Sequence, residues 1–106
     1  MDKMIEPEFD RDGYPTDETL ETIRSWSDLS WDGQYNLLNF VCEAWYYPDR
    51  IEKRGNNKFW FSTGGWSGNE DLIDALGSNL MFWMLCWHSS KRGGYYEFKL
   101  RKVTNG

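Results

Sequence analysis

The chain has 106 residues, a length that suits one domain built around one hydrophobic core. Aromatic residues make up 18% of it, with seven tryptophans, and this excludes a disordered chain because disordered segments are poor in large rings. The longest apolar run, residues 80–87, is far shorter than the ~20 residues of a transmembrane helix. The acidic start lacks the apolar stretch of a secretory signal, so we expect a cytoplasmic protein.

Charge is divided unevenly along the chain, whose net charge is −5. Residues 1–50 hold twelve acidic and four basic side chains, a net of −8. Residues 51–106 hold five acidic and eight basic side chains, a net of +3. An acidic first half and a mildly basic second half can meet different partners, although a split charge distribution is also common in proteins that make no use of it.

The first part of the chain is predicted to be an arm followed by a helix. Residues 1–13 are predicted to form a flexible acidic arm, and residues 14–106 a single domain. A helix is predicted over 17–26, because Thr16 is a suitable N-cap and acidic residues follow it at the positive end of the helix dipole.

The middle of the chain changes from helical to strand periodicity. Apolar residues at helical spacing predict a second helix over 34–47, which Pro48 stops. Residues 50–62 then predict a β-hairpin whose turn, residues 55–57, is made of glycine and asparagine, which tolerate positive φ.

A glycine-rich loop, residues 63–69, leads into a short helix. Ser67 or Asn69 is expected to cap the start of this helix, and Gly77 is expected to end it.

The remaining residues are predicted to complete a sheet. The continuous apolar run over 80–87 favours a central strand covered on both faces, with a helix as the alternative. Residues 89–94 are typical of a turn, after which Tyr96, Phe98 and Leu100 alternate with charged residues in a half-buried strand. The element order α-α-β-β-α-β-β predicts an α+β fold, with an antiparallel sheet of about four strands and helices on one face.

The glycine-rich loop is a candidate site for a phosphate or another small anion, because it combines hydroxyl groups with the free N–H groups of a helix start. The residues proposed to hold the ligand are Thr63, Gly64, Gly65, Ser67 and Lys91. The loop lacks the lysine of a nucleotide-binding P-loop, and acidic residues follow it. The favoured interpretation is therefore a tight turn that places the Trp66 side chain in the hydrophobic core.

The segment 87–96 mixes a histidine, hydroxyl groups, two cations and aromatic rings, a combination that can stack on bases and bind phosphates. An ordinary solvated hairpin turn explains the same residues, and one basic pair makes no electrostatic groove. Direct nucleic-acid binding is therefore the less favoured interpretation.

Catalysis and metal binding are not expected. Cys42 and Cys86 each lie inside an apolar segment, which predicts buried free thiols that resist ionisation, with a disulfide as the alternative. His88 is the single histidine, and the cysteines lack the short spacing of a zinc site, so we expect no metal and no other cofactor.

Acidic and aromatic residues are the candidates for binding a macromolecule. Acids on the arm and first helix can mimic the charge of nucleic acid, although a solvated face explains them too. Seven tryptophans are more than a core of this size hides easily, and exposed tryptophan, tyrosine and arginine are typical of binding hot spots. The predicted partner-binding residues are Asp17, Glu18, Glu21, Trp66, Trp87, Arg92 and Tyr95.

Two stretches carry a resemblance to known proteins: EPEFDRDGYPTDETL at 6–20 and STGGWSGNE at 62–70. Both resemble passages of small accessory proteins encoded by bacteriophages and prophages. The resemblance implies a viral protein that binds host machinery, as inhibitors of bacterial defence, including anti-CRISPR proteins, do. The function expected is inhibition of a host protein or ribonucleoprotein complex by surface occupation; the alternative is a small-ligand or nucleotide-binding module.

Overall fold

The computed structural model describes residues 6–55 and 57–102. The first five residues of the predicted arm, Asn56 of the predicted hairpin turn and residues 103–106 lie outside this description. The described elements are, in chain order, α1 (Asp17–Arg24), α2 (Trp31–Ala44), a 3₁₀ helix (Pro48–Arg50), β1 (Ile51–Arg54), β2 (Lys58–Ser62), α3 (Ser67–Ser78), α4 (Leu80–Cys86), β3 (Trp87–Lys91) and β4 (Tyr95–Lys99).

The four strands form one antiparallel sheet in the order β1-β2-β4-β3, which confirms the predicted α+β class. Phe59 and Phe61 of β2 and Phe98 of β4 point to one face and are fully buried. They pack with the apolar sides of the helices, including Leu37, to form the core. Trp60, on the other face of β2, is only half-buried. Alternation along each strand thus separates a helix-covered face from a more open one.

The predicted caps and helix ends of the first half are partly right. Thr16 accepts a hydrogen bond from the Thr19 amide, as predicted for the start of α1. The start of α2 was predicted three residues late, since Ser30 accepts from the Gly33 amide and begins the helix at Trp31. The helix also ends before Pro48, because Trp45 leaves the helical conformation and its indole N–H donates to the Ser62 carbonyl at 3.0 Å.

The start and end predicted for α3 were wrong. No side chain caps this helix, which begins after Trp66. Asn69 is instead fully buried, where its amide oxygen accepts from the Tyr46 N–H at 2.9 Å and its amide nitrogen donates to the Thr63 carbonyl at 3.2 Å. Gly77 lies inside the helix and does not end it. Asn69 thereby links the glycine-rich loop to the end of α2 through hydrogen bonds.

Of the two alternatives predicted for 80–87, the favoured central strand is wrong and the helix is right, because residues 80–86 form helix α4. Asn79 caps it by accepting from the Phe82 amide at 3.2 Å. The same side chain donates to the carbonyls of Ile23 and Trp26, at 3.0 and 2.9 Å, and so fastens α4 to the end of α1. The third strand is β3, an edge strand that includes residues predicted to be turn.

The described part of the arm is hydrogen-bonded to α1. The Glu8 amide donates to the Thr19 hydroxyl at 2.7 Å, and that hydroxyl donates to the Glu8 carbonyl at 3.0 Å. Phe9 and Pro15 form an isolated antiparallel bridge. Among the helices that the structure describes, none combines the length and apolar character needed to cross a membrane.

Candidate functional site

The outer side of α4 is an exposed apolar surface, which we call the α4 face. Leu80, Met81 and Met84 are 66%, 71% and 82% exposed, and Trp87, one turn further on, is 40% exposed. Leu80, Met81 and Met84 share one side of α4, and Trp87 follows the helix as the first residue of β3, whereas Phe82 points inward and is fully buried. The α4 face is therefore a contiguous group of large apolar side chains in contact with water.

Two tryptophans pack together at the edge of the α4 face, and the helix itself carries no charge. Trp83 stacks on Trp87 with ring centroids 6.2 Å apart and meets Phe98 edge to face at 5.5 Å. The seven residues of α4 include no charged side chain. Methionine is unbranched and polarizable, so Met81 and Met84 can adapt their shape to a contacting surface.

A second exposed surface surrounds Trp66, and we call it the Trp66 cluster. The Trp66 ring lies between Tyr14 and Tyr46, with centroid distances of 4.8 and 4.6 Å. Tyr46 meets Tyr47 edge to face at 4.7 Å, and the Arg50 guanidinium lies 5.6 Å from the centre of the Tyr47 ring. Trp66 is thus half-buried in a surface stack rather than plugged into the core.

Two glycines near Trp66 leave room for this stack of aromatic rings. Gly64 has a positive φ of 63°, and a methyl group there would come within 3.1 Å of the Tyr47 ring. A methyl group at Gly68 would overlap the Trp66 ring itself. The Ser67 hydroxyl donates to the Tyr14 hydroxyl at 3.1 Å, which joins the start of α3 to the residues before α1.

The structure divides the predicted partner-binding residues among separate places. Asp17, Glu18 and Glu21 are exposed on α1, whose N-terminal end follows Tyr14 of the Trp66 cluster. Trp87 belongs to the α4 face.

The other two residues predicted to bind a partner lie elsewhere. Arg92 is exposed in the turn between β3 and β4. Tyr95 stacks on Trp60 with centroids 5.1 Å apart, on the sheet face away from the core phenylalanines. The seven predicted residues therefore do not form one continuous site.

The fold brings the glycine-rich loop beside the β3–β4 turn, as the ligand-binding alternative requires. Thr63, however, is buried, and its N–H donates to the Gly94 carbonyl at 3.0 Å. Its hydroxyl accepts from the Gly65 amide at 3.3 Å, and its carbonyl accepts from the Trp66 amide at 3.2 Å. Lys91 is exposed on β3. Several polar groups of the loop are thus hydrogen-bonded within the protein.

Both thiols are held in their neutral form. Burial raises the pKa of Cys86 to about 12, and its thiol donates to the Gln34 side-chain oxygen at 3.3 Å. Burial, opposed by the charge of Lys53, also raises the pKa of Cys42 to about 11. A thiol that stays protonated at neutral pH is a poor nucleophile and a poor metal ligand. The described residues contain no group of three or more potential metal ligands.

Sequence reasoning missed Leu80, Met81 and Met84, because a buried strand would have hidden all of them. Two signals pointed to the helix instead. Asn79 is a favoured N-cap, and the inward-facing Phe82 and Cys86 are four residues apart.

Comparisons of the chain with protein-family models, curated proteins and solved structures found no match. The function is therefore argued from the residues and the geometry described above.

Proposed function

We propose that this protein is a binding protein that inhibits a bacterial defence or nucleic-acid-handling complex by occupying its surface. The observation that carries the proposal is the exposure of the α4 face. The resemblance of residues 6–20 and 62–70 to phage accessory proteins supplies the setting, in which a viral protein acts in the cytoplasm of its host. The inhibition requires no catalytic step and no cofactor.

The α4 face has the properties of a protein-binding surface. Large contiguous apolar patches on folded proteins mark sites of interaction with proteins, membranes or ligands. A membrane surface is disfavoured, because α4 has none of the lysines and arginines with which interfacial helices bind anionic lipid, and the whole chain is acidic. A protein partner with an apolar surface fits best, since exposed methionines adapt to such surfaces.

The acidic end of α1 supplies a second contact. Asp17 and Glu18 are exposed in its first turn, and Glu21 lies one turn later beside Arg24, at 3.5 Å. A protein groove that binds nucleic acid is basic, so carboxylates on a rigid helix complement it and steer association. The neighbouring Trp66 cluster adds the tyrosine, tryptophan and arginine side chains in which binding hot spots are enriched.

The test compares variants that are matched in charge. A tagged protein is first used to capture and identify partners from a bacterial host, and binding of the purified partner is then measured. Met84→Glu should weaken this binding by at least about tenfold, because the new carboxylate would lose water in the contact. Asn36→Glu, an added acid on the exposed side of α2, should leave binding unchanged.

The role of α1 is tested in the same assay. Charge reversal at Asp17, Glu18 and Glu21 combined with Trp66→Ala should weaken binding and inhibition, chiefly by slowing association. Full binding by both this variant and the α4 variant would contradict the proposed function. Loss of binding in the α4 variant alone would restrict the contact to the α4 face.

A further inference from the structure

The strand register places a row of cations on the sheet face that carries Trp60 and lies away from the core phenylalanines, which we call the open face. Arg54 of β1 lies opposite Lys58 of β2, and Lys58 lies opposite Lys99 of β4. The three side chains share the face of Trp60, because Lys58 precedes Trp60 by two residues and directly opposite residues point to the same face. Like charges directly opposite one another destabilise a sheet. A bound polyanion would relieve this repulsion.

Acids on the open face only partly offset the row. Glu52 forms an ion pair with Arg54 at 2.9 Å, and Glu97 accepts a hydrogen bond from a serine of β3 at 3.3 Å. Lys58 and Lys99 form no ion pair with any described residue. The charged residues that the strands place on this face are Arg54, Lys58, Lys91 and Lys99 against Glu52 and Glu97. The open face is therefore basic, although the whole chain has a net charge of −5.

An aromatic pair lies beside the row of cations. The rings of Trp60 and Tyr95 stack with centroids 5.1 Å apart and planes 21° apart, and both residues are half-buried. The Arg54 guanidinium lies 5.6 Å from the centre of the Trp60 ring. Single-stranded nucleic acid is bound by this combination of cations, which follow the phosphates, and aromatic rings, on which the bases stack.

The tertiary structure supplies what the segment 87–96 lacks by itself. That segment offers one basic pair, whereas the register adds cations from β1, from β2 and from the end of β4. The acids of α1 lie on the other side of the sheet, because Leu20 and Ile23 of α1 belong to the same buried cluster as Phe59 and Phe98. The acidic helix and the basic open face are thus separated by the core.

We propose that the open face binds single-stranded nucleic acid. Bases stack on the Trp60–Tyr95 pair, and the exposed Arg54 side chain turns from the Trp60 ring to a phosphate as a base takes its place. Lys58 and Lys99 bind neighbouring phosphates as charges. This activity uses a different face from α4 and does not depend on the proposed inhibition of a partner.

The test measures binding of fluorescent twelve-nucleotide oligo-thymidine and oligo-uridine by anisotropy at several salt concentrations, with a duplex and a polyglutamate peptide as comparison probes. Lys58→Gln with Lys99→Gln should weaken binding of the single strands by about tenfold at low salt. It should also reduce the slope of log K against log salt by about 1.4, since each phosphate contact on a single strand contributes about 0.7.

Two further variants separate charge from stacking. Arg24→Gln with Lys53→Gln removes the same charge from outside the open face and should change binding by no more than about twofold. Trp60→Leu should weaken binding by about tenfold and leave the salt slope unchanged, because it removes a stacking surface and no cation.

Each outcome decides part of the proposal. Saturable binding of either single strand with these variant effects supports it, and a preference between the two identifies the sugar. Equal binding of polyglutamate would overturn the nucleic-acid class, and tighter binding of the duplex would overturn the stacking role of Trp60. Equal losses in the two double variants, or no binding of a single strand at low salt, would overturn the site. Met84→Glu tests the α4 face separately, so either proposal can fail alone.

Discussion

The α4 face and the Trp66 cluster are both exposed, but their side chains are held in different ways. In the Trp66 cluster each ring packs against another, so Trp66 contacts Tyr14 on one side and Tyr46 on the other. On the α4 face, Met81 and Met84 extend into water and are more than two-thirds exposed. Contacts within the protein cover much of the Trp66 cluster but little of the α4 face.

This difference shows why the number of exposed aromatic rings is a poor guide to a binding surface. Stacked rings stabilise one another by roughly 0.5–1.5 kcal/mol per pair, so the Trp66 cluster has a structural role without a partner. Aliphatic side chains in water gain nothing comparable. The α4 face is therefore the stronger indication of a partner, although the Trp66 cluster contains more of the residue types found in hot spots.

The largest expected effect tests whether the two sides of α4 differ as described. Phe82→Ala should destabilise the fold by about 3–5 kcal/mol, because Phe82 is fully buried and the substitution leaves a cavity. Met84→Ala should change the free energy of unfolding by no more than about 0.5 kcal/mol. Urea unfolding of both variants measures this contrast. A large loss in Met84→Ala would mean that the α4 face is covered in the purified protein.

A smaller effect is expected where α4 is fastened to α1. Asn79→Ala removes the N-cap of α4 and leaves the carbonyls of Ile23 and Trp26 without their hydrogen bonds, which should cost about 2 kcal/mol. Asn79→Ser should recover only the part due to the cap. Asn36→Ala, on the exposed side of α2, serves as the control. Equal stability of the alanine variants at positions 79 and 36 would contradict the role of Asn79.

The smallest effect is expected from a matched pair of glycines in α3. Gly77→Ala should stabilise the protein by about 0.5–1 kcal/mol, because alanine favours a helix and the added methyl group would meet only Trp83, at 3.9 Å. Gly68→Ala should lose this gain, since its methyl group would displace Trp66 from the stack. Thermal unfolding of the two variants measures the contrast. Equal stabilisation would show that the Trp66 cluster is loosely packed.

Local sequence signals correctly predicted the elements whose conformation depends on residues close to them in the chain. Thr16 as a cap, the hairpin over 50–62 and the last strand with Phe98 depend on short-range periodicity and turn chemistry, and the structure confirms them. The α+β class with a four-stranded antiparallel sheet followed from these elements. The acids of α1 were likewise found exposed on a helix, as predicted.

Long-range contacts decided the rest. A run of eight apolar residues is compatible with a buried strand or with a helix, and its conformation here depends on Asn79, which bonds to residues more than fifty positions away. A surface groove similarly brings Trp31 of α2 beside Lys53 and Phe59, which lie on a hairpin more than twenty residues later. Periodicity along the chain shows which side chains share one side of a helix or strand. The packing of distant elements decides which of these sides is exposed to water and which residues from elsewhere in the chain lie next to it.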